Sequence, residues 1–267
     1  MRGLSSDSGT APEATAPTGA PLSAILITRN EASNIVECLA SVAFARERIV
    51  VDNGSTDDTV ALATAAGARV VVTADWPGFG AQKNRALALA TEPWVLSLDA
   101  DERVTPELRD EILRTLQSPA AEAWDMPRRS SYCGQFIAHS GWYPDRVTRL
   151  FKRGTARFSD DLVHERLVTD APPAHLNHDL VHRSFPDFES VLDKLDRYST
   201  AGALRLHAQG RKGSVGRAVL HGLWAFVRTY VLRRGFLDGR MGFLLAVSNA
   251  EGTYYRYVKL WLMQRRG

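Results

Sequence analysis

The 267-residue chain is 45% hydrophobic and 24% charged, ordinary globular composition that excludes disorder as its main state. Its two cysteines, Cys38 and Cys133, can build no disulfide framework and have no metal-ligand spacing, so zinc is not expected and a reducing cytosol fits. The net charge of +3 conceals an asymmetry: from Arg183 onward 15 Lys and Arg face 6 Asp and Glu, whereas 18 face 24 before it. A basic, aromatic-rich back suits nucleic acid, an anionic membrane or a phosphorylated ligand, and charge alone does not choose among them.

Residues 1–21, rich in Ser, Thr, Ala, Gly and Pro without an apolar run, are expected to form a disordered tail rather than a signal peptide or a membrane span. Four short apolar runs follow, Ala24 to Ile27, Ile49 to Val51, Val70 to Val72 and Trp94 to Leu98. Such continuous β-branched runs suit strands buried on both faces of a parallel sheet. Helical patterns lie between them: Ile35, Leu39 and Val42; a helix capped by Thr56 and running through Val60 and Leu62; and the alanine-rich Gly80 to Ala90. The order is βαβαβαβ, with Thr28, Asp52, Thr73 and Asp99 at the strand ends, where ligands bind in open α/β sheets.

The first turn, Ile27 to Asn34, holds no glycine, which argues against a dinucleotide fingerprint and against a nucleotidyltransferase loop. What remains is Leu98-Asp99-Ala100-Asp101-Glu102, an apolar strand ending in D-x-D. Two carboxylates two positions apart can reach one hard cation whose other positions are filled by phosphate oxygens and water. A plain turn before the helix cap Thr105-Pro106-Glu107 explains the same residues. Its place at the end of the fourth strand, beside Val51-Asp52-Asn53-Gly54-Ser55, favours the site.

These segments resemble family 2 glycosyltransferases of the GT-A fold, and within them the bacterial lipopolysaccharide core enzymes that add glucose to an inner-core heptose. The resemblance runs from about Ser23 to about Trp261. It rests on ITRNEASN (27–34), VDNGSTDDT (51–59), GFGAQKNRALA (78–88), LDADERVTPEL (98–108), HSGWYPDRVTRLF (139–151), LVHE (162–165) and GFLDGRMGFLLAVSNA (235–250). It implies an α/β GT-A fold with a mostly parallel nucleotide-sugar-binding sheet and helices on both faces over residues 22–183, followed by a helical, basic, membrane-proximal region over 184–267. It also implies an inverting transfer from a UDP-sugar with a divalent cation, Mn or Mg.

Carried over by position, Thr28, Glu31 and Asp52 would line the nucleotide pocket, Lys83 and Arg85 would neutralise diphosphate, Asp99 would face ribose or sugar hydroxyls, and Asp101 would bind the metal. Glu165 is the expected base, with Asp161 as runner-up; many relatives use an acidic pair where this chain has His164-Glu165. His182 would add a metal or phosphate contact. Trp142, Tyr143 and Asp145 would meet the acceptor, and Arg149 would anchor that loop or the diphosphate. Core packing is the competing account of Trp142, and a structural role that of His182.

The back third is expected to form helices over Phe188 to Gln209, Ser214 to Arg234 and Arg240 to Leu262. Ala218 to Leu232 is too short for the roughly 20 residues of a span. Leu220, Leu223, Trp224, Val227 and Val231 recur at helical spacing among Arg217, Arg228, Arg233 and Arg234, which suits either an anionic membrane surface or packing on the catalytic domain or a second subunit. The expected whole is a transferase on the cytoplasmic face of the inner membrane, acting on a lipid-linked saccharide and not on nucleic acid, with a homo-oligomer open. A glycoside hydrolase and a non-catalytic sugar-nucleotide or membrane-binding module are the other classes.

Overall fold

A computed structural model describes residues 19–159 and 166–266. Residues 1–18 of the expected tail and the segment 160–165 lie outside the described residues, whereas Ala20 and Pro21, which were expected to belong to that tail, open the first strand.

The four apolar runs form β1 (Ala20–Thr28), β2 (Ala45–Asp52), β3 (Arg69–Val72) and β4 (Trp94–Asp99), all mutually parallel in the order β3-β2-β1-β4. Between them lie α1 (Ile35–Ser41), α2 (Thr59–Ala65) and α3 (Phe79–Leu89). The residue preceding α2 is Asp58, not Thr56, whose backbone N–H and hydroxyl are turned to the Asn30 side chain. Side chains alternate across β1: Leu22, Ala24 and Leu26 pack with Ile35 and Leu39 on one face, while Ile25 packs with Ala86 and Ala90 on the other. This two-sided burial explains why the strands carry no polar alternation.

After Asp99 the chain turns into β5 (Glu102–Val104) and α4 (Pro106–Gln117), which is capped by the Thr105 hydroxyl accepting from Leu108 N–H at 3.2 Å. The sheet then becomes mixed. β6 (Ala123–Tyr132) carries the small β7 (Gln135–Phe136) on its edge, and β8 (Asp145–Lys152) inserts antiparallel between β4 and β6. A separate hairpin of β9 (Ala156–Phe158) and β10 (Leu167–Thr169) flanks residues 160–165. β11 (Ala174–His175) pairs with β6, and β12 (Leu180–Phe185) runs between β6 and β5, antiparallel to β5.

The helical back begins at α5 (Phe188–Ala208), followed by α6 (Val215–Val227) and α7 (Gly239–Arg266). The helix expected to reach Arg234 stays α-helical only to Val227; a π-helical turn covers Arg228–Leu232, and Arg234 takes a left-handed φ of 54° that ends it. A short 3₁₀ turn, Gly235–Asp238, leads into α7. α7 packs on both other helices: the Lys259 ammonium reaches Asp196, Ser199 and Thr200 of α5, and Tyr257 stacks on His221 of α6 at 4.2 Å. Tyr132, Ile137, Val191 and Leu245 join the helices to the sheet as a small third core. Among the described residues no helix is long and apolar enough to cross a membrane.

Candidate active site

Because β1 and β4 are parallel neighbours with Ile27 opposite Asp99, Thr28 and the D-x-D turn share one sheet edge. A cleft of about 820 Å³ opens there. Thr28, Glu31, Asp99, Asp101 and His182 line it together.

The two D-x-D carboxylates have different surroundings. Asp99 is clasped by the Lys83 ammonium at 2.9 Å and an Arg149 Nη at 2.5 Å. Burial pushes its carboxyl up, but Arg149 and Lys83 outweigh this and hold it well below the usual carboxylate range. The same Arg149 nitrogen reaches Glu102, a fully buried carboxylate that also accepts the Asp99 backbone N–H at 3.0 Å and an Arg128 N–H at 3.2 Å. Arg149 therefore anchors the D-x-D turn itself. Among the described residues Asp101 has no such cation: its side chain meets His182 Nε2 at 3.2 Å, and its backbone carbonyl accepts from Arg183 N–H.

This pairing follows from register. β5 and β12 run antiparallel with His182 opposite Glu102, which brings the histidine alongside the preceding Asp101. The other ring nitrogen, Nδ1, lies 2.9 Å from the Ser130 hydroxyl on β6. Orientation of an imidazole through its second nitrogen is the arrangement that directs a ligating histidine. Among the described residues no group of three or more His, Cys, Asp or Glu side chains converges on one metal position. A carboxylate and an imidazole alone fit a hard cation that takes its other ligands from phosphate oxygens and water.

Glu31 lies on the same cleft, where burial raises its carboxyl, the Asn34 amide lowers it, and the charges of Asp101, Asp57 and Asp99 raise it further. Asp52 is placed differently from expectation. It is fully buried, and its oxygens accept from the Thr28 hydroxyl at 2.8 Å and from the Ser55 N–H and hydroxyl. It shapes the pocket through Thr28 and does not line it. Lys83 joins Asp99 as described, but Arg85 is turned away into a two-pronged pair with Asp75 at 2.9 and 2.7 Å. The reason is spacing: two residues apart on a helix, the two cations point to different sides.

The residues expected to meet the acceptor are likewise held by protein partners. Asp145 pairs with Arg128 at 2.7 Å, and the exposed Tyr143 hydroxyl donates to Asp179 at 2.9 Å. Trp142 stacks on Phe185 at 6.0 Å and lies edge-on to Tyr132. Glu165 and Asp161 lie outside the described residues. The hairpin that flanks them is fixed to α3, because the Asn84 amide donates to Phe158 C=O and accepts from Phe158 N–H, both at 2.9 Å.

Three contributors to the cleft, Trp76, Arg197 and Tyr198, lie outside the sequence motifs used above, and Phe79 lies inside one without having been given a role. Trp76 and Phe79 form an edge-to-face pair at 4.8 Å on its wall, and Arg197 and Tyr198 reach it from α5. The signal for Trp76 and Phe79 in the sequence was the pair of aromatic residues bracketing Pro77-Gly78, and both rings are half-exposed. Arg197 and Tyr198 stand nearly a hundred residues from Asp101 and belong to a helix with no motif.

Comparison with known proteins identifies the family. The glycosyl transferase family 2 signature matches residues 23–168. An uncharacterized glycosyltransferase of Rickettsia prowazekii is 32% identical over 252 residues, covering 90% of this chain and 86% of the relative. The lipopolysaccharide core biosynthesis glycosyltransferase LpsC of Rhizobium meliloti is 30% identical over 255 residues, covering 90% and 92%. The chain belongs to glycosyltransferase family 2. Among solved structures, glucosyl-3-phosphoglycerate synthase of Mycobacterium tuberculosis, in complex with Mn²⁺, UDP and phosphoglyceric acid, aligns with 41% of this chain and 43% of its own at 28% identity and a TM-score of 0.35. S. aureus TarS 1-349 aligns with 91% of each chain at 15% identity and a TM-score of 0.45.

Proposed function

We propose that this glycosyltransferase transfers a hexosyl group, with glucose as the first candidate, from a UDP-sugar to a saccharide of the lipopolysaccharide core, with inversion at the anomeric carbon. The observation that carries the donor side is the division of labour within D-x-D: Asp99 is occupied by Lys83 and Arg149, whereas Asp101 faces the cleft beside an oriented His182. Asp101, with His182, would hold a divalent cation, which supplies charge compensation for the departing diphosphate. Trp76 and Phe79 offer ring faces to the base, and Arg29 and Arg197 add cationic reach along the same cleft. The likeness to LpsC over nine-tenths of both chains supports the core-saccharide acceptor.

In the transfer, the acceptor hydroxyl attacks the anomeric carbon as the bond to the diphosphate oxygen breaks; the hydroxyl proton passes to the Glu165 carboxylate and UDP leaves. Glu165 is the base in this reading and Asp161 the alternative, both next to a hairpin pinned to the helix that carries Lys83.

Asp101→Ala should abolish transfer and the enhancement of UDP binding by Mn²⁺ or Mg²⁺ while leaving the unfolding transition in place. Calorimetric titration with UDP, with and without metal, is the measurement; wild-type turnover undiminished in EDTA would overturn the metal assignment. Glu165→Gln should keep UDP-sugar binding and lose about 10² to 10⁴ in rate. A near-normal Glu165→Gln with an inactive Asp161→Asn would move the base to Asp161.

A further inference from the structure

A second cavity, about 390 Å³, lies between the end of β12, the loop after β7 and the three C-terminal helices. Its lining, among the described residues, includes four cations and no carboxylate: Lys194 of α5, Arg228 and Arg233 around the π-helical turn, and Arg256 of α7. Among the described residues the three guanidinium groups make no ion pair and no side-chain hydrogen bond, and Arg256 Nε is buried without an acceptor. Lys194 gives one N–H to Ser184 C=O at 2.9 Å and lies over the Phe185 ring. Gathering like charges around one hollow is unfavourable unless an anion completes it.

The backbone makes room for these side chains. A Cβ on Gly141, which has φ +77°, would come within 2.5 Å of Arg233 Cδ and Nη1, and one on Gly202 within 2.6 Å of Arg256 Nε. One side of the remaining wall is aromatic, built from Trp142 stacked on Phe185 with Tyr132 beside them, and the rest is small polar and aliphatic side chains such as Ser248, Asn249 and Leu245. Tyr198 lines both this cavity and the donor cleft, and Lys194 feels the charges of Asp101 and Glu31 across the gap. An anion seated here is next to the reacting centre.

We propose that this cavity binds a phosphate group on the acceptor saccharide, with the sugar ring on the Trp142 and Phe185 wall. The proposal rests on the acceptor side of the function given above and names the chemistry that the acceptor carries. Phosphate suits the lining better than a carboxylate, because three guanidinium forks and an ammonium can satisfy three oxygens bearing nearly two charges. The aromatic wall selects a phosphorylated sugar over a bare lipid headgroup, since ring faces take an apolar sugar face.

The test is calorimetric titration of the full-length protein with glucose 6-phosphate, glucose, inorganic phosphate and phosphatidylglycerol vesicles, with UDP plus Mn²⁺ as the donor-site control. Glucose 6-phosphate should bind, inorganic phosphate should compete with it, and glucose should not bind measurably. Arg256→Gln and Arg233→Gln, checked for native circular dichroism, should each weaken glucose 6-phosphate roughly tenfold, as expected for one lost charge-assisted contact, without changing UDP affinity. Arg233 is exposed, so its variant tests the site even if Arg256→Gln unfolds. Equal binding of glucose and glucose 6-phosphate, no binding of either, or variants equal to wild type would overturn the proposal. Binding of vesicles without glucose 6-phosphate would overturn the saccharide and leave a lipid phosphate in its place. Failure of UDP to bind would instead refute the donor-site reading, which the sugar-phosphate titration does not touch.

Discussion

Glu102 has no solvent exposure, and Arg149 joins it to the partly exposed Asp99, so among the described residues removing that arginine leaves the buried Glu102 with the cation of Arg128 alone and Asp99 with that of Lys83 alone. Arg149→Met should destabilise the protein by about 3–5 kcal/mol, the usual cost of breaking a buried pair from one side. Arg149→Lys should recover only part of this, because an ammonium cannot fork between two acceptors. The loss should also depend on pH. Asp99 is depressed below its ordinary value, so its contribution is complete above the unfolded carboxylate value near 4 and fades as pH falls through the lower folded value. The gap between wild type and Arg149→Met in urea unfolding should therefore be widest near neutrality and shrink below about pH 4. A gap that is constant from pH 7 to pH 3 would show that Asp99 is not the group being stabilised.

Two segments singled out in the sequence, 139–151 and 235–250, prove to be one structural unit. Asp238 is buried, and its carboxylate accepts the backbone N–H groups of Ala138 and His139 at 3.0 and 3.1 Å and the Ser140 hydroxyl at 2.9 Å. Ser140 N–H in turn donates to Arg233 C=O at 2.9 Å. Asp238→Ala leaves two amide donors unsatisfied beside Trp142 and should cost roughly 2–4 kcal/mol. Its steady-state signature should be a raised KM for the acceptor with an unchanged KM for the UDP-sugar; equal effects on both would mean the loop serves the donor cleft as well. This mutual capping was invisible in the sequence because it spans about a hundred positions between two turns with no period. The parallel strands were legible for the opposite reason, since burial on both faces writes itself as local apolar runs. Likewise D-x-D was visible as a motif, but the fates of Asp99 and Asp101 were not, because Lys83, Arg149 and His182 come from three other elements. Helix α6 was legible in its start, capped by Ser214, and not in its end, where a π turn takes over and Arg234 adopts a backbone conformation that glycine ordinarily supplies.

At the scale of the molecule, the apolar stripe on α6 and the following turn does not pack on the catalytic sheet. Leu220, Leu223 and Trp224 are 69%, 61% and 55% exposed, with Leu232, Phe236 and Leu237 open alongside them. Flanked by Arg217 and Arg234, this face suits an anionic bilayer surface, to which each basic residue adds about 1 kcal/mol and the apolar side chains the remainder. Leu223→Gln with Trp224→Gln should lower co-sedimentation with phosphatidylglycerol vesicles at both low and high salt, whereas Arg217→Gln with Arg234→Gln should lower it at low salt only. Unchanged sedimentation of both variants, with a concentration-dependent dimer in wild type that the Leu223 and Trp224 changes dissolve, would assign the stripe to a second copy instead. The Asp238 junction has a consequence for exchanging parts between relatives. The family signature stops at residue 168, before His182, Arg197 and the helices. A chimera spliced there would build both the cleft and the second cavity from two parents, and would fold as a working hybrid only where the donor of the front half supplies a Ser140 loop that the incoming Asp238 can hold.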